Sequence, residues 1–562
     1  MPLVKVLAPP IYNRQVVRRS TLLLLLLCGI TFLAGLGRPA IGDSDEAFYA
    51  EAAREMLERG DWLTPYYNYE TRFQKPVLFY WLVGATYAVA GIGEAQARLW
   101  AALAGVGLAL LTAAAGRRWR DEPTGLLAGA IVATSFGYFS IGRLSLPDLP
   151  LAFFITLTTY ALLVATLDEP SRPMRWWLVA GAAAGCGFLT KGPVGLILPA
   201  LAVAPAWWLE RARLRLPWTG LAAAAAVAIA VGLPWYTQMW AVHGRAYLDS
   251  FFLGDNLERF ATSRFNDPRP FWFYVPIVLG GMLPWTPLVA AGVPPLRDHL
   301  AGRRRVTPLV WRLLGWAGLP LLFFTLSIGK QPRYILPILP PLALLLAMAI
   351  RARVRRHGDT RDPLLQWPAA VIALMLAALA VLIFHARPLI VMVPPIFVLG
   401  AIAAIAAAAG VALAGALAPR SRAVPAAIAV AGALLLGGLQ YGLSPAGRDP
   451  VQIMATLVSE HRQRDEPIAT FRVFVRNLIF YTGIQQADLS SEQHVADYLR
   501  SEKPVLCVIG ADELTRISAA HKVRTRVLGE VLYFNASAVK LRTLLDPDQD
   551  RDLERVLLVT NR

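Results

Sequence analysis

The feature that most constrains this chain is a repeated run of about 20 apolar residues, broken by short basic or proline-containing segments. A hydrocarbon core of roughly 30 Å is crossed by about 20 helical residues, and only a helix or a closed barrel satisfies its own backbone there. Thirteen membrane-spanning helices are therefore expected, near residues 20–41, 97–116, 124–142, 149–167, 176–190, 193–209, 218–240, 272–292, 309–328, 334–350, 366–385, 389–415 and 423–441. Of the 562 residues, 56% are hydrophobic and 17% are charged, and the mean hydropathy is +0.48, too apolar for a water-covered surface. No cleavage site follows the first run, so it reads as a retained helix.

The basic residues set the orientation. Net charge is +17, but the 55 Lys and Arg sit in short clusters between apolar runs, which points to membrane topology and away from a nucleic-acid partner. Lys5, Arg14, Arg18 and Arg19 place the N-terminus in the cytoplasm. A further apolar stretch, 76–93, then decides the parity. If it does not span, RRWR (117–120), ERARLR (210–215), RRR (303–305) and RARVRR (351–356) all face the cytoplasm; if it spans, all move outside. It is expected to lie as a helix at the outer interface, which leaves the C-terminus outside. The three cysteines, Cys28, Cys186 and Cys507, suggest neither a disulfide framework nor a thiolate metal site.

From about Ser444 the composition changes. Strand-like runs at 467–474, 504–510 and 527–535 alternate with helical patterns at 451–464 and 490–502. The expected fold class is an α-helical polytopic membrane domain over 1–442, with a first outer loop at 43–75, followed by a small α/β domain over 443–562 outside the membrane. No internal repeat stands out, which weighs against a transporter built from inverted repeats.

Polar groups at membrane depth are costly, so the outer loops that carry them are informative. The longest, DSDEAFYAEAAREMLERGDWLTPYYNYETRFQKP (43–76), opens with Asp43, Asp45 and Glu46. These carboxylates suit holding a divalent cation, orienting an acceptor or acting as a base; equally, Asp43 or Ser44 could cap a helix whose positive end favours Asp45 and Glu46. Lys75 ends the loop, as a snorkelling anchor or a phosphate ligand. Asp148 lies in RLSLPDLP (143–150), where capping of the next helix is the bland alternative. Lys191 sits in the turn TKGPVG (190–195), the loop 243–270 carries DNLERF (255–260) with Arg245, Arg259, Arg264 and Arg269, and GKQPRY (329–334) holds Lys330, Arg333 and Tyr334. Parity puts all of them on one side of the membrane, which describes a site for an anionic, phosphate-bearing substrate at the outer leaflet. No P-loop or dinucleotide fingerprint occurs in a supporting context, so no nucleotide cofactor is expected and an activated donor should be lipid-borne; whether a metal takes part stays open.

These motifs carry a resemblance. DEAFYAEAAREMLERGDW (45–62), FQKPVLFYW (73–81), RLSLPDLP, FLTKGPVGLILP (188–199), DNLERF, FWFYVPIVLGGMLPW (271–285) and GKQPRYILPILPPLALL (329–345) together resemble the protein mannosyltransferase-like membrane glycosyltransferases of the C-type fold, over roughly residues 20 to 350. Within that family the chain is most similar to the undecaprenyl phosphate-dependent 4-amino-4-deoxy-L-arabinose transferases, which modify lipid A phosphates at the periplasmic face of the inner membrane. The resemblance implies catalytic roles for Asp45, with Glu46 beside it, and for Asp148. It implies donor-phosphate binding by Lys75 and by Arg333 with Tyr334; Arg259, Lys330 and Lys191 join these as phosphate-side cations. Partners implied are the undecaprenyl phosphate-linked aminosugar, lipid A and membrane lipids. The competing readings are transfer of another lipid-linked sugar to a protein or glycan hydroxyl, and transport of a lipid-linked sugar without catalysis.

Overall fold

The computed structural model describes residues 14–168, 170–262, 268–303, 305–445, 449–463, 465–535 and 540–562. Lys5, Arg264 and Arg304, used above, lie outside them. The protein is a multi-pass membrane protein. Among the described residues, eight helices are long and apolar enough to cross a membrane: Gln15–Leu33, Glu94–Trp119, Asp148–Leu167, Pro308–Leu326, Pro332–His357, Pro363–Leu389, Pro395–Leu417 and Ser421–Gly442. Three bent helix pairs raise the number to eleven at most by length and composition, so the expected thirteen is not reached on that measure.

The bends have local causes. Glu122–Ala133 and Phe136–Gly142 meet at 55°. There the Thr134 and Ser135 hydroxyls donate back to Ala130 O and Ile131 O at 2.7 and 2.5 Å, competing with the helical ladder. Trp218–Gly232 and Pro234–Ala261 bend by 42° at Pro234, which lacks the amide the ladder needs. The expected straight span at 272–292 is instead Tyr274–Gly281 and Thr286–Leu300, 97° apart, with Gly280, Gly281, Pro284 and Pro287 at or beside the break. The first expected run, 20–41, stops at Leu33. Pro173–Lys191 and Val194–Leu209 occupy the expected 176–190 and 193–209; the second has 16 residues and two internal prolines. Leu78–Ala90 occupies 76–93; its 13 residues extend only about 20 Å.

Small residues let the helices approach. A Cβ on Gly116 would lie 2.7 Å from Gly125 Cα, so Glu94–Trp119 and the helix starting at Glu122 cross nearly backbone to backbone.

Outside this bundle, the first loop folds into the helix Asp45–Arg59 and a hairpin of β1 (Tyr66–Tyr67) and β2 (Glu70–Thr71). The hairpin's two turn residues, Asn68 and Tyr69, have φ of 55° and 63°, the left-handed values of a tight two-residue turn. The C-terminal sheet comprises β3 (Ile468–Phe471), β4 (Gln486–Asp488), β5 (Leu506–Gly510), β6 (Arg526–Tyr533) and β7 (Glu554–Thr560), in the order β4-β3-β5-β7-β6. β3 pairs parallel with β4 and β5, whereas β7 runs antiparallel between β5 and β6. Helix Pro450–His461 starts one residue before the expected stretch 451–464 and Glu492–Leu499 falls within 490–502, while β4 and β7 were not among the expected strands.

The sheet is docked on the first loop. The hairpin tip Asn68 exchanges two bonds with β4: its Nδ2 donates to Gln486 O at 2.8 Å, and Gln486 N donates to its Oδ1 at 2.9 Å. Ile41 N donates to Tyr481 Oη at 2.7 Å, and Asn477 Nδ2 donates to Ile41 O at 2.9 Å.

At the root of the loop, the fully buried Glu46 and Arg98 form an ion pair, 2.7 and 3.1 Å long. Arg98 also donates to the carbonyls of Leu36, Pro39 and Ala40, and Glu46 accepts from Gly42 N and Ser145 N. Breaking such a pair from one side strands the other charge and costs about 3–5 kcal/mol. Glu46→Ala should therefore lower the thermal unfolding temperature of the detergent-solubilised protein markedly. Glu513→Ala, which breaks surface pairs with the exposed Arg472 and with Arg516, should leave it nearly unchanged. Equal melting of the two variants would refute this ranking.

Candidate active site

A cavity of about 530 Å³ opens where the first loop meets the bundle. Its polar part collects Asp45, Lys75, Asp148, Lys191, Asp255, Arg259, Arg333 and Tyr334; Phe251, Phe252, Phe260, Phe323, Phe324, Leu198 and Ile197 continue it as an apolar channel. Four cations against three carboxylates leave one positive charge in excess.

Each charged side chain is placed by a helix end or a break. Ser44 caps the helix Asp45–Arg59, its Oγ accepting from Glu46 N at 3.3 Å, so Asp45 begins the first turn. Asp43 does not cap it; its carboxylate accepts from Val475 N and Arg476 N at 3.2 and 2.7 Å, on the C-terminal unit. Asp148 opens the span Asp148–Leu167 just after Pro147. Lys191 closes Pro173–Lys191, and Gly192, at φ 75°, turns the chain into the next helix. Asp255 and Arg259 lie one turn apart on a wide-wound helical segment. Gly329 packs against it: a Cβ there would sit 2.1 Å from Arg259 O, so any larger residue would force Arg259 out of place. Arg333 and Tyr334 begin the span Pro332–His357 in a tight 3₁₀ turn.

The ions form two linked groups. Arg333 pairs with Asp45 and approaches Asp148 Oδ1 at 3.5 Å; Lys191 Nζ donates to the same oxygen at 2.6 Å. Lys75 Nζ and Arg259 Nη2 hold the two oxygens of Asp255 at 2.5 and 2.6 Å. Arg259 also hydrogen-bonds the Tyr334 hydroxyl, and Lys191 Nζ lies 5.0 Å from the Tyr334 ring centre, joining the groups. Burial alone would raise the Asp45 pKa, but the guanidinium of Arg333, aided by Arg72 and Arg259, holds it below the usual carboxylate value. Asp45 is thus an anion at neutral pH, suited to holding a cation and weak as a base. Burial pushes the Lys75 ammonium down to about 8, against the pull of Asp255 and with the push of Arg259 and Lys191.

Two expected site residues are not in the cavity. Glu46 points the other way, into Arg98, because consecutive helical residues diverge by about 100°. Lys330 is buried and donates to Ser327 O at 2.5 Å and Arg269 O at 3.3 Å, so it ties a loop together. Conversely, Asp255 is a central carboxylate that sequence reasoning passed over within DNLERF; its i,i+4 spacing to Arg259 was the available signal. Tyr49, one turn beyond Asp45, also lines the cavity. Among the described residues, no group of three or more His, Cys, Asp or Glu could hold a metal ion. The cavity carboxylates face cations instead.

A polar cavity at the end of an apolar channel, set between a loop helix and a bundle of long apolar helices, accords with the C-type glycosyltransferase fold. Residues 41–248, the segment that supplies Asp45, Lys75, Asp148 and Lys191, match the dolichyl-phosphate-mannose-protein mannosyltransferase family. The chain is 37% identical over 377 residues to the undecaprenyl phosphate-alpha-4-amino-4-deoxy-L-arabinose arabinosyl transferase of Pseudomonas aeruginosa, and 33% identical over 383 residues to that of Pectobacterium carotovorum. Each match covers 65% of this chain and 66% of the relative, just short of two thirds of its length. The structure superposes on ArnT from Cupriavidus metallidurans bound to undecaprenyl phosphate with a TM-score of 0.71, covering 96% of this chain and 98% of that one at 21% identity. An oligosaccharyltransferase from Archaeoglobus fulgidus shares the fold more distantly, with a TM-score of 0.54 at 13% identity over 93% of this chain and 70% of that one.

A direct consequence concerns Lys75. Its ammonium is present below about pH 8 and lost above it, so, if Lys75 holds a lipid phosphate as the sequence reading expects, that affinity should fall as pH rises through the region. In Lys75→Arg, whose guanidinium stays charged, the fall should vanish. Binding of a polyprenyl phosphate measured from pH 6.5 to 9.5, roughly a unit and a half each way from that midpoint, is the check; an unchanged profile in the variant would refute the assignment.

Proposed function

We propose that this protein transfers 4-amino-4-deoxy-L-arabinose from undecaprenyl phosphate to phosphate groups of lipid A, at the periplasmic face of the bacterial inner membrane. The observation that carries this reading is the cavity's single surplus positive charge at the head of an apolar channel. A polyprenyl phosphosugar is a phosphodiester with one negative charge and a long hydrocarbon tail, which matches both. The relatives of 33–37% identity bear the name of this activity, which supports the choice of sugar.

In the proposed reaction an oxygen of the acceptor phosphate attacks the sugar's anomeric carbon. The bond from that carbon to the donor's phosphate oxygen breaks, and undecaprenyl phosphate leaves with one more negative charge than the diester had. Lys75, Arg259 and Arg333 stabilise that charge as it develops, and they can do so only by loosening their hold on Asp255 and Asp45. Tyr334 orients Arg259. Asp45 and Asp148 hold the sugar's ammonium and fix the geometry. A single displacement inverts the anomeric centre. Because an acceptor phosphate is already ionised, no strong base is needed, which agrees with the low pKa of Asp45.

Asp45→Asn should then slow transfer to phosphorylated lipid A without removing a carboxylate-dependent limb from the pH–rate profile. Purified protein assayed with phosphorylated and dephosphorylated lipid A decides this. Efficient use of the dephosphorylated acceptor, with an acid limb abolished by the substitution, would mean a hydroxyl acceptor and Asp45 as base.

The orientation is part of the same proposal: the loop 43–75 and the unit 443–562 face the periplasm, and Leu78–Ala90 lies along the outer interface. Reporter fusions after Arg120, Arg215 and Arg356 should read as cytoplasmic, and after Arg562 as periplasmic. The opposite pattern would overturn it.

A further inference from the structure

Every cation in the polar part of the cavity is tied to a carboxylate. Two further guanidinium groups near the first-loop helix are not. Arg72, at the foot of β2, is half-buried, and its Nε donates to Tyr80 Oη at 3.3 Å; among the described residues it has no carboxylate partner and its two terminal amino groups have no acceptor. Its guanidinium lies 4.2 Å from the centre of the Phe48 ring. A second guanidinium, that of the exposed Arg476, lies 5.7 Å from the centre of the same ring and likewise has no carboxylate partner among the described residues. Arg476 belongs to the C-terminal unit. Its backbone is held in place by Asp43, which accepts from its N–H at 2.7 Å, and by the Tyr67 hydroxyl, which donates to its carbonyl at 3.2 Å.

Phe48 follows Asp45 by three residues on the same helix, so the ring and the cavity carboxylate share a face, one above the other. Arg72 is close enough to act electrostatically on both Asp45 and Asp255. Neither guanidinium is ion-paired among the described residues, although Arg476 acts on Asp43 across space, and against one aromatic ring both present planar terminal donors. Such donors match the oxygens of a phosphate group in paired hydrogen bonds. They come from the outer hairpin and the C-terminal unit, whereas Lys75, Arg259 and Arg333 line the head of the apolar channel.

We propose that Arg72 and Arg476, arranged on Phe48, form the subsite that binds the acceptor's phosphate group, so that the C-terminal unit supplies a substrate ligand. This rests on the reading above, in which the acceptor is a lipid phosphate. The unit's docking contacts with the first loop then hold a substrate-binding residue beside Asp45.

Steady-state kinetics of the purified full-length protein test this, with undecaprenyl phosphate-linked aminosugar as donor and bisphosphorylated lipid A as acceptor. Arg476→Ala and Arg72→Gln should each raise KM for lipid A about tenfold or more, the loss of one charge-assisted contact, while KM for the donor and the unfolding temperature stay the same. Arg72→Lys should recover part of the loss by restoring charge without the planar fork. An unchanged lipid A KM in both variants, or an equal rise for donor and acceptor, would overturn the subsite. If the wild-type protein does not use bisphosphorylated lipid A at all, the functional reading fails and the subsite with it. An active wild type with insensitive variants removes the subsite alone.

Discussion

The architecture of the site depends on one buried ion pair, Glu46 with Arg98. Two charges removed from water cost several kcal/mol each, and their mutual attraction repays that only when their remaining donors and acceptors are also met. Here they are: three carbonyls of the 36–40 turn fill the Arg98 fork, and two backbone amides fill the Glu46 carboxylate. Those contacts reach into three separate segments: the exit of the first span, the start of the loop helix and the 143–148 turn. Asp45 is the neighbour of Glu46, and Asp148 lies three residues beyond Ser145. The pair therefore sets where both cavity carboxylates begin.

The cavity itself is a set of like and unlike charges already in contact before any substrate enters. Burial disfavours an unpaired charge, so Asp255 and Asp45 serve as internal counter-ions for Lys75, Arg259 and Arg333. In the proposed reaction the substrate competes with them, which limits ground-state binding. The contacts that then strengthen are those to the charge developing on the departing phosphate. Lys75 shows the cost of this arrangement, with its pKa held down to about 8 by burial and by two neighbouring cations.

Much of the site was legible because its residues sit in short motifs at the outer ends of apolar runs. Asp45, Lys75, Asp148, Lys191, Arg259, Arg333 and Tyr334 all line the cavity that the parity of the basic loops had placed on one side. Lys330, three residues before the Arg333–Tyr334 pair in the same short motif, looks like a third cavity cation in sequence, whereas carbonyls left open at a helix break claimed its donors. The broken helices were hidden for a related reason. Hydropathy counts apolar residues but is blind to the Thr134–Ser135 back-bonds and the Pro284 interruption that redirect the chain.

What the sequence determined by itself was the solvent: apolar runs of membrane length and clustered basic loops follow from local transfer energies, which need no partner to be counted. It also led to the expectation that the charged motifs share one side of the membrane, since parity is a property of the order of segments. Only the tertiary structure decided which charges meet. Asp45 and Glu46 are adjacent letters of the same type, yet one lines the cavity and the other anchors the fold. Helical rotation separates them by about 100°, and the direction of that rotation matters only once Arg98 and Arg333, distant in sequence, stand on either side.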